Sequence, residues 1–113
     1  MRSYMFLFWA PRQALAMPRS PEQARASGEK WHSWEQALRK GGHSPTGAQL
    51  EPGGQCLTGA ARSLREGTFG KDDVCGGYFM VTASSLAEAT ELAKGCPLLD
   101  NGGTVEVRAV MEV

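Results

Sequence analysis

At 113 residues, with 42% apolar and 21% charged side chains, the chain has the size and composition of one ordinary globular domain spanning 1–113, which excludes an extended disordered segment. Twelve Lys and Arg balance twelve Asp and Glu, so the summed positive charge that draws proteins to nucleic acids or anionic membranes is missing. No stretch approaches the ~20 apolar residues that span a bilayer, and fourteen glycines predict many turns and short elements.

The N-terminus imitates an export signal: Arg2 is followed by an apolar run from Tyr4 to Ala10, and Ala14-Leu15-Ala16 has the small-x-small form of a cleavage site. Pro11, Arg12 and Gln13 interrupt that pattern, and the aromatic content suits a pleated strand. Tyr4–Trp9 therefore reads as a strand with Tyr4, Phe6 and Phe8 on one face and Met5, Leu7 and Trp9 on the other. Both faces are apolar, so both need cover. Pro11, Pro18 and Pro21 then break the chain into a loop.

Ser20 caps a helix that starts at Pro21, Gln23 completes a capping box, and Gly41-Gly42 stop the helix after Lys40. Ala24, Gly28, Trp31, Trp34 and Leu38 fall on one stripe, with Gly28 placed for close approach to a neighbour. Between Gly42 and Gly77 the punctuation leaves room only for short strands, at Ala48–Leu50 and within Gln55–Arg65. Tyr78–Thr82 is a second strand apolar on both faces. Ser85 and Glu88 predict a capping box for a second helix that buries Leu86, Ala89, Leu92 and Ala93, ends at Gly95 and is barred from continuing by Pro97. Thr104–Met111 is the last strand, with Val105, Val107, Ala109 and Met111 on one face and Glu106 and Arg108 on the other.

The order strand, helix, short strands, strand, helix, strand predicts an α+β, ferredoxin-like βαββαβ fold: an antiparallel sheet with two helices on one face. The other face keeps large apolar side chains that nothing else in the chain covers. A second copy of the sheet covers them most simply, so a homodimer formed sheet to sheet is expected.

Cys56, Cys75 and Cys96 are odd in number and widely spaced, which favours reduced, mostly buried thiols in a cytoplasmic protein over a disulfide framework or a zinc site. Asp72-Asp73 lack a third oxygen ligand at loop spacing, so no metal is expected, and their placement at a strand entrance suits turn chemistry. No phosphate-cradling loop opens either helix, so no nucleotide cofactor is expected. Cys96 follows a helix C-terminus, whose negative dipole end raises a thiol pKa, and reads as structural.

The stretches Tyr4-Met5-Phe6-Leu7, Gly76-Gly77-Tyr78-Phe79-Met80-Val81, Ser84-Ser85-Leu86-Ala87-Glu88-Ala89, Ala93-Lys94-Gly95-Cys96-Pro97-Leu98-Leu99-Asp100 and Gly103-Thr104-Val105-Glu106-Val107-Arg108 are similar to those of the YCII-related (DGPF-domain) family. At the motif that names that domain this chain has Glu66-Gly67-Thr68-Phe69 in place of Asp-Gly-Pro-Phe. The resemblance implies a ferredoxin-like dimer of the dimeric α/β barrel group. It also implies that some relatives carry out small-molecule enzyme steps with a His–Asp pair in a cleft, the His coming from the first helix.

Two functions follow. The first is a non-catalytic dimeric binding or accessory module with a possible small-molecule ligand, its cleft shallow or filled by Trp31 and Trp34. The alternative is a small-molecule enzyme in which His32, on the first helix, transfers a proton and Asp73 fixes its tautomer across the helix–sheet cleft. As a lone His on the polar side of the helix, His32 also reads as a solvated surface residue. His43, in the turn after that helix, reads as part of the loop.

Overall fold

The computed structural model describes residues 1–16 and 19–112. Pro18, one of the expected chain breakers, lies outside them. The elements run β1 (Arg2–Pro11), α1 (Arg12–Ala16), α2 (Pro21–Lys40), β2 (Thr46–Gln49), β3 (Gln55–Thr58), β4 (Ser63–Glu66), β5 (Asp73–Ala83), α3 (Leu86–Ala93), a 3-10 helix (Pro97–Asn101) and β6 (Thr104–Ala109). A four-stranded sheet has the order β2-β5-β1-β6 and all its pairings are antiparallel, which is the ferredoxin-like topology; β3 and β4 form a separate two-stranded sheet. No helix among the described residues is long and apolar enough to cross a membrane.

The two strands with apolar residues on both faces lie side by side at the centre of the sheet. Tyr4, Phe6 and Phe8 of β1 are buried, and they stand opposite Val81, Phe79 and Gly77 of β5 and Ala109, Val107 and Val105 of β6. Their face is covered by Trp34 and Leu38 of α2 and by Ala89 and Ala93 of α3. Val105 and Val107 pack on this core as expected, but β6 ends at Ala109 and Met111 is 85% exposed beyond it. The register of β1 on β5 shifts between Phe8 and Trp9, where Phe8 opposes Gly77 and Trp9 opposes Cys75. Gly76 is the extra residue of this bulge. Gly77 must also lack a side chain, since a Cβ there would lie 2.8 Å from the Ala48 carbonyl oxygen of the neighbouring strand.

The helix ends are set by local chemistry. Ser20 accepts from the Gln23 amide at 3.1 Å while Gln23 Oε1 accepts from the Ser20 amide at 3.0 Å, so the capping box closes. At the other end, Gly42 takes φ +83° and the amides of Gly42 and His43 donate to the carbonyls of Arg39 and Leu38. This is the paired C-terminal closure that a left-handed glycine permits. The box on α3 is only half as expected. Ser85 accepts from the Glu88 amide, but the Glu88 carboxylate reaches one residue farther back and accepts from the Ser84 amide at 2.8 Å.

The stripe on α2 holds only in its second half. Trp31 is half-buried and Trp34 and Leu38 are buried, whereas Ala24 is exposed and a Cβ on Gly28 would meet nothing within 4 Å. The first half of α2 overhangs the end of the sheet, so Gly28 makes no close approach.

Candidate functional site

The space between α2 and the sheet is where the sequence places an acid–base pair, and aromatic rings occupy it. Trp34 stacks on Phe79 at 5.4 Å between centroids and on Phe6 at 5.9 Å; Phe8 meets Trp31 edge-on at 4.9 Å and Phe79 at 5.4 Å. Edge-to-face and offset arrangements at these distances are favourable beyond simple burial. The Trp34 indole N–H donates to the Leu92 carbonyl at 3.1 Å, which ties α2 to the end of α3. Two glycines make the space: a Cβ on Gly47 would fall 2.7 Å from the Phe79 ring, and one on Gly95 would fall 2.9 Å from Trp34.

His32 lies on the outer side of α2 and is exposed, and Asp73, the first residue of β5, is exposed beside Pro11 at the end of the sheet. No hydrogen bond joins the two, and neither lines the grooves described below. Asp72 gives its backbone carbonyl to the Arg12 amide at 2.8 Å. The Arg12 guanidinium donates to the Lys71 carbonyl at 3.0 Å and also to that of Gly70. Asp72 therefore lies in a loop fastened to the end of β1, and Asp73 opens β5 opposite Pro11.

His43 is the histidine that the fold takes inside, against its reading as part of the loop. It is buried, its carbonyl accepts from the Thr82 amide at 2.8 Å, and its Nδ1 lies 2.8 Å from the Thr82 carbonyl oxygen. A carbonyl only accepts, so Nδ1 carries a proton and donates it to Thr82. The ring folds back over Gly41, where a Cβ would come within 2.9 Å of it. The signal was available in sequence: His43 directly follows the two glycines that end α2, and in a glycine-terminated closure the residue after the left-handed glycine packs against the residue here occupied by Leu38. Glu88, at the start of α3, is held below the usual carboxylate range, first by the Ser84 amide and then, against a smaller opposing effect of burial, by the Ser84 hydroxyl and the positive charge available on His43. Together these contacts staple the end of α2 and the start of α3 to β5.

Cys96 is buried and its thiol is pushed up to about 11. Burial is the main cause rather than the helix dipole, and the nearby Asp100 carboxylate adds to it. Cys56 and Cys75 are partly buried, and all three cysteines are unpaired.

Two adjoining open grooves run between the overhanging half of α2 and the 3-10 helix, with volumes of about 420 and 610 Å³. Ala26, Lys30 and Pro97 line both; Arg19 and Gln23 edge the smaller, Glu29 and Asp100 the larger. Opposite charges face one another across the larger groove, so it holds no strong field of either sign. No cluster of His, Cys, Asp and Glu suited to a metal ion occurs among the described residues.

The sheet face away from the helices carries a different surface. Met5 stands opposite Met80 and Leu7 opposite Tyr78, all half-buried, while β6 adds Glu106 and Arg108 along one edge. The Trp9 indole N–H donates to Glu106 Oε1 at 3.0 Å. An apolar centre with a polar margin is the anatomy of a protein interface. Comparison with known families matches residues 4–113 to the YCII-related domain. No curated protein matches the chain.

Proposed function

The chain belongs to the YCII-related family, and we propose that it works as a non-catalytic, cytoplasmic dimeric module whose two copies meet through the open faces of their sheets. The observation that carries this reading is the filled cleft: Trp31, Trp34, Phe8 and Phe79 take the volume that a substrate and its acid–base pair would need. The open face supports the second half of it. Four strands spaced ~4.8 Å apart offer roughly 500 Å² of sheet per copy, which over two copies reaches the ~1,000 Å² expected of a specific interface. The grooves beside Lys30 and Pro97 are where such a module would take a small ligand.

Light scattering at micromolar concentration tests the dimer. A mass near two chains is expected, and Met80→Arg, at the centre of the open face, should return one chain; a wild-type monomer at that concentration overturns the reading. The filled cleft is tested by tryptophan fluorescence during titration with small organic acids and phenols. The expected result is no saturable change from Trp31 and Trp34. A saturable change, together with turnover that His32→Ala abolishes, would establish the His32–Asp73 enzyme instead.

A further inference from the structure

The β3–β4 hairpin stands apart from the rest of the fold. Its two strands pair only with each other, through Gln55↔Glu66, Cys56↔Arg65, Leu57↔Leu64 and Thr58↔Ser63. Both strands therefore keep an open edge, and an isolated two-stranded ladder is marginal in water unless it packs on something. Among its mostly polar side chains, the large apolar ones are uncovered. Leu57 and Leu64 face each other on one side of the ladder at 69% and 61% exposure, and Phe69, just after β4, is 79% exposed. Together these three side chains expose roughly 300–400 Å² of apolar surface, an amount comparable to the largest patch of a typical monomer.

The hairpin leaves the sheet from one end, between the last residue of β2 and the first of β5, and its base is fixed. The Leu50 amide donates to the Gly76 carbonyl at 2.9 Å, the Gly67 amide to the Gly54 carbonyl at 2.8 Å, and Arg12 grips the carbonyls of the 70–72 loop. A fixed base with an uncovered tip is an arm. The overall shape agrees: the radius of gyration is 15.5 Å, against about 13 Å for a compact chain of this length. The molecule is 43 Å in two directions and only 18 Å in the third, so the arm extends the slab that holds the open sheet face.

We propose that this arm is a clasp for a second copy of the same chain: in the dimer, Leu57, Leu64 and Phe69 of each copy pack against the other. The proposal rests on the sheet-to-sheet reading. The second copy is the occupant favoured by three observations. The arm continues laterally from the open face, so a copy seated on that face meets it. The sheet face alone only just reaches the size of a specific interface, and two arms add the missing apolar area. The net charge of zero puts no self-repulsion in the way.

The test uses the full chain, with Leu57→Lys/Leu64→Lys as the arm variant and Met80→Arg as the sheet variant. Both arm positions are exposed, so the arm variant should keep the circular dichroism of the wild type. The expected result is a dimer dissociation constant raised at least tenfold by the arm variant. Hydrogen exchange at the β3–β4 amides should slow with increasing protein concentration in the wild type and not in the variant. An arm variant that dimerises like the wild type, with arm amides exchanging freely at every concentration, overturns the clasp and leaves the sheet dimer standing. If Met80→Arg still dimerises while the arm variant does not, the sheet reading fails and the clasp as an addition to a sheet dimer fails with it. A wild-type monomer at micromolar concentration overturns both.

Discussion

The sheet body and the hairpin arm are both antiparallel ladders, yet they end in opposite circumstances. In β1 every second side chain meets a ring or a methyl group from α2, α3 or a neighbouring strand; Phe6 is 0% exposed. In β3 and β4 a leucine pair at the same kind of cross-strand position has nothing above it. What decides the outcome is the second layer. A strand is stable when its apolar face has cover, and this chain supplies one helical layer for two exposed surfaces. The difference therefore separates the residues that hold one copy together from those available to hold two.

The largest effect should come from removing the second layer where it exists. Trp34→Ala takes away the ring that bridges Phe6, Phe8 and Phe79 and the hydrogen bond to Leu92, and should cost about 3–5 kcal/mol in urea unfolding. That is a large share of a typical domain's stability. A loss under ~1 kcal/mol would mean that the aromatic cluster does not hold the cleft closed.

Next come the glycines that make room for the cluster, and here the kind of neighbour sets the order. A Cβ on Gly47 would lie 2.7 Å from the Phe79 ring and 2.9 Å from the Phe79 Cα, and would also overlap the Tyr78 carbonyl oxygen. Backbone cannot step aside, so Gly47→Ala should displace β2 and cost about 2–3 kcal/mol. On Gly95 the Cβ crowds the Trp34 ring at 2.9 Å and lies at an ordinary 3.6 Å from the Leu92 carbonyl oxygen, and a side chain yields more readily than backbone. Gly95→Ala should cost about 1–2 kcal/mol, with altered tryptophan fluorescence. The reverse order would show that β2 is the softer neighbour.

The contrast between the two regions also explains how much the sequence disclosed. Tyr4–Trp9, Tyr78–Thr82 and α2 were legible because each carries its own signal: two-sided apolar alternation, or a capping box at one end and paired glycines at the other. The α+β class and the antiparallel order followed from them. The lengths of β1 and β5 did not, because Arg2, Ser3 and the residues around Asp73 and Val74 join the sheet through backbone pairing that needs no particular side chain. The overhang of α2 was hidden for a related reason. Ala24 and Gly28 fit the stripe by period, but the sheet ends before it reaches them. At the candidate site, a helical histidine and an aspartate at the start of a strand were easy to pick out by residue type, yet type alone does not bring two side chains into contact. His43, which does make contacts, was marked by helix-ending geometry rather than by any catalytic pattern.

Cys96 gives a smaller effect with a definite sign. Its thiol keeps its proton in the fold up to about 11, while the ordinary value is 9.0. Above the ordinary value the unfolded chain releases a proton that the folded chain holds, so this residue's contribution falls as pH rises from about 9 to about 11. Cys96→Ala should flatten the alkaline limb of a stability–pH profile. In the native wild type at pH 8, iodoacetamide should reach Cys96 more slowly than Cys56 or Cys75. Equal labelling of all three would show that burial does not protect it.

The smallest effect is expected at Glu88, where charge and hydrogen bonding can be separated. Its carboxylate accepts from the Ser84 amide at 2.8 Å and from the Ser84 hydroxyl at 3.2 Å, and its pKa is lowered chiefly by the first of these. A depressed folded pKa means stability that is present above the ordinary value of 4.5 and lost as pH falls through the folded one. Glu88→Gln keeps an oxygen acceptor for Ser84 but cannot titrate. At pH 7 the variant should be slightly less stable than the wild type, because the charged acceptor is the stronger one and favours the positive end of α3. As pH falls below the ordinary value the wild type should lose this advantage and the two unfolding curves should converge. If the gap instead stays constant from pH 7 to pH 3, the Ser84 contact contributes through shape alone, and the start of α3 is held by the Ser85 cap rather than by the carboxylate.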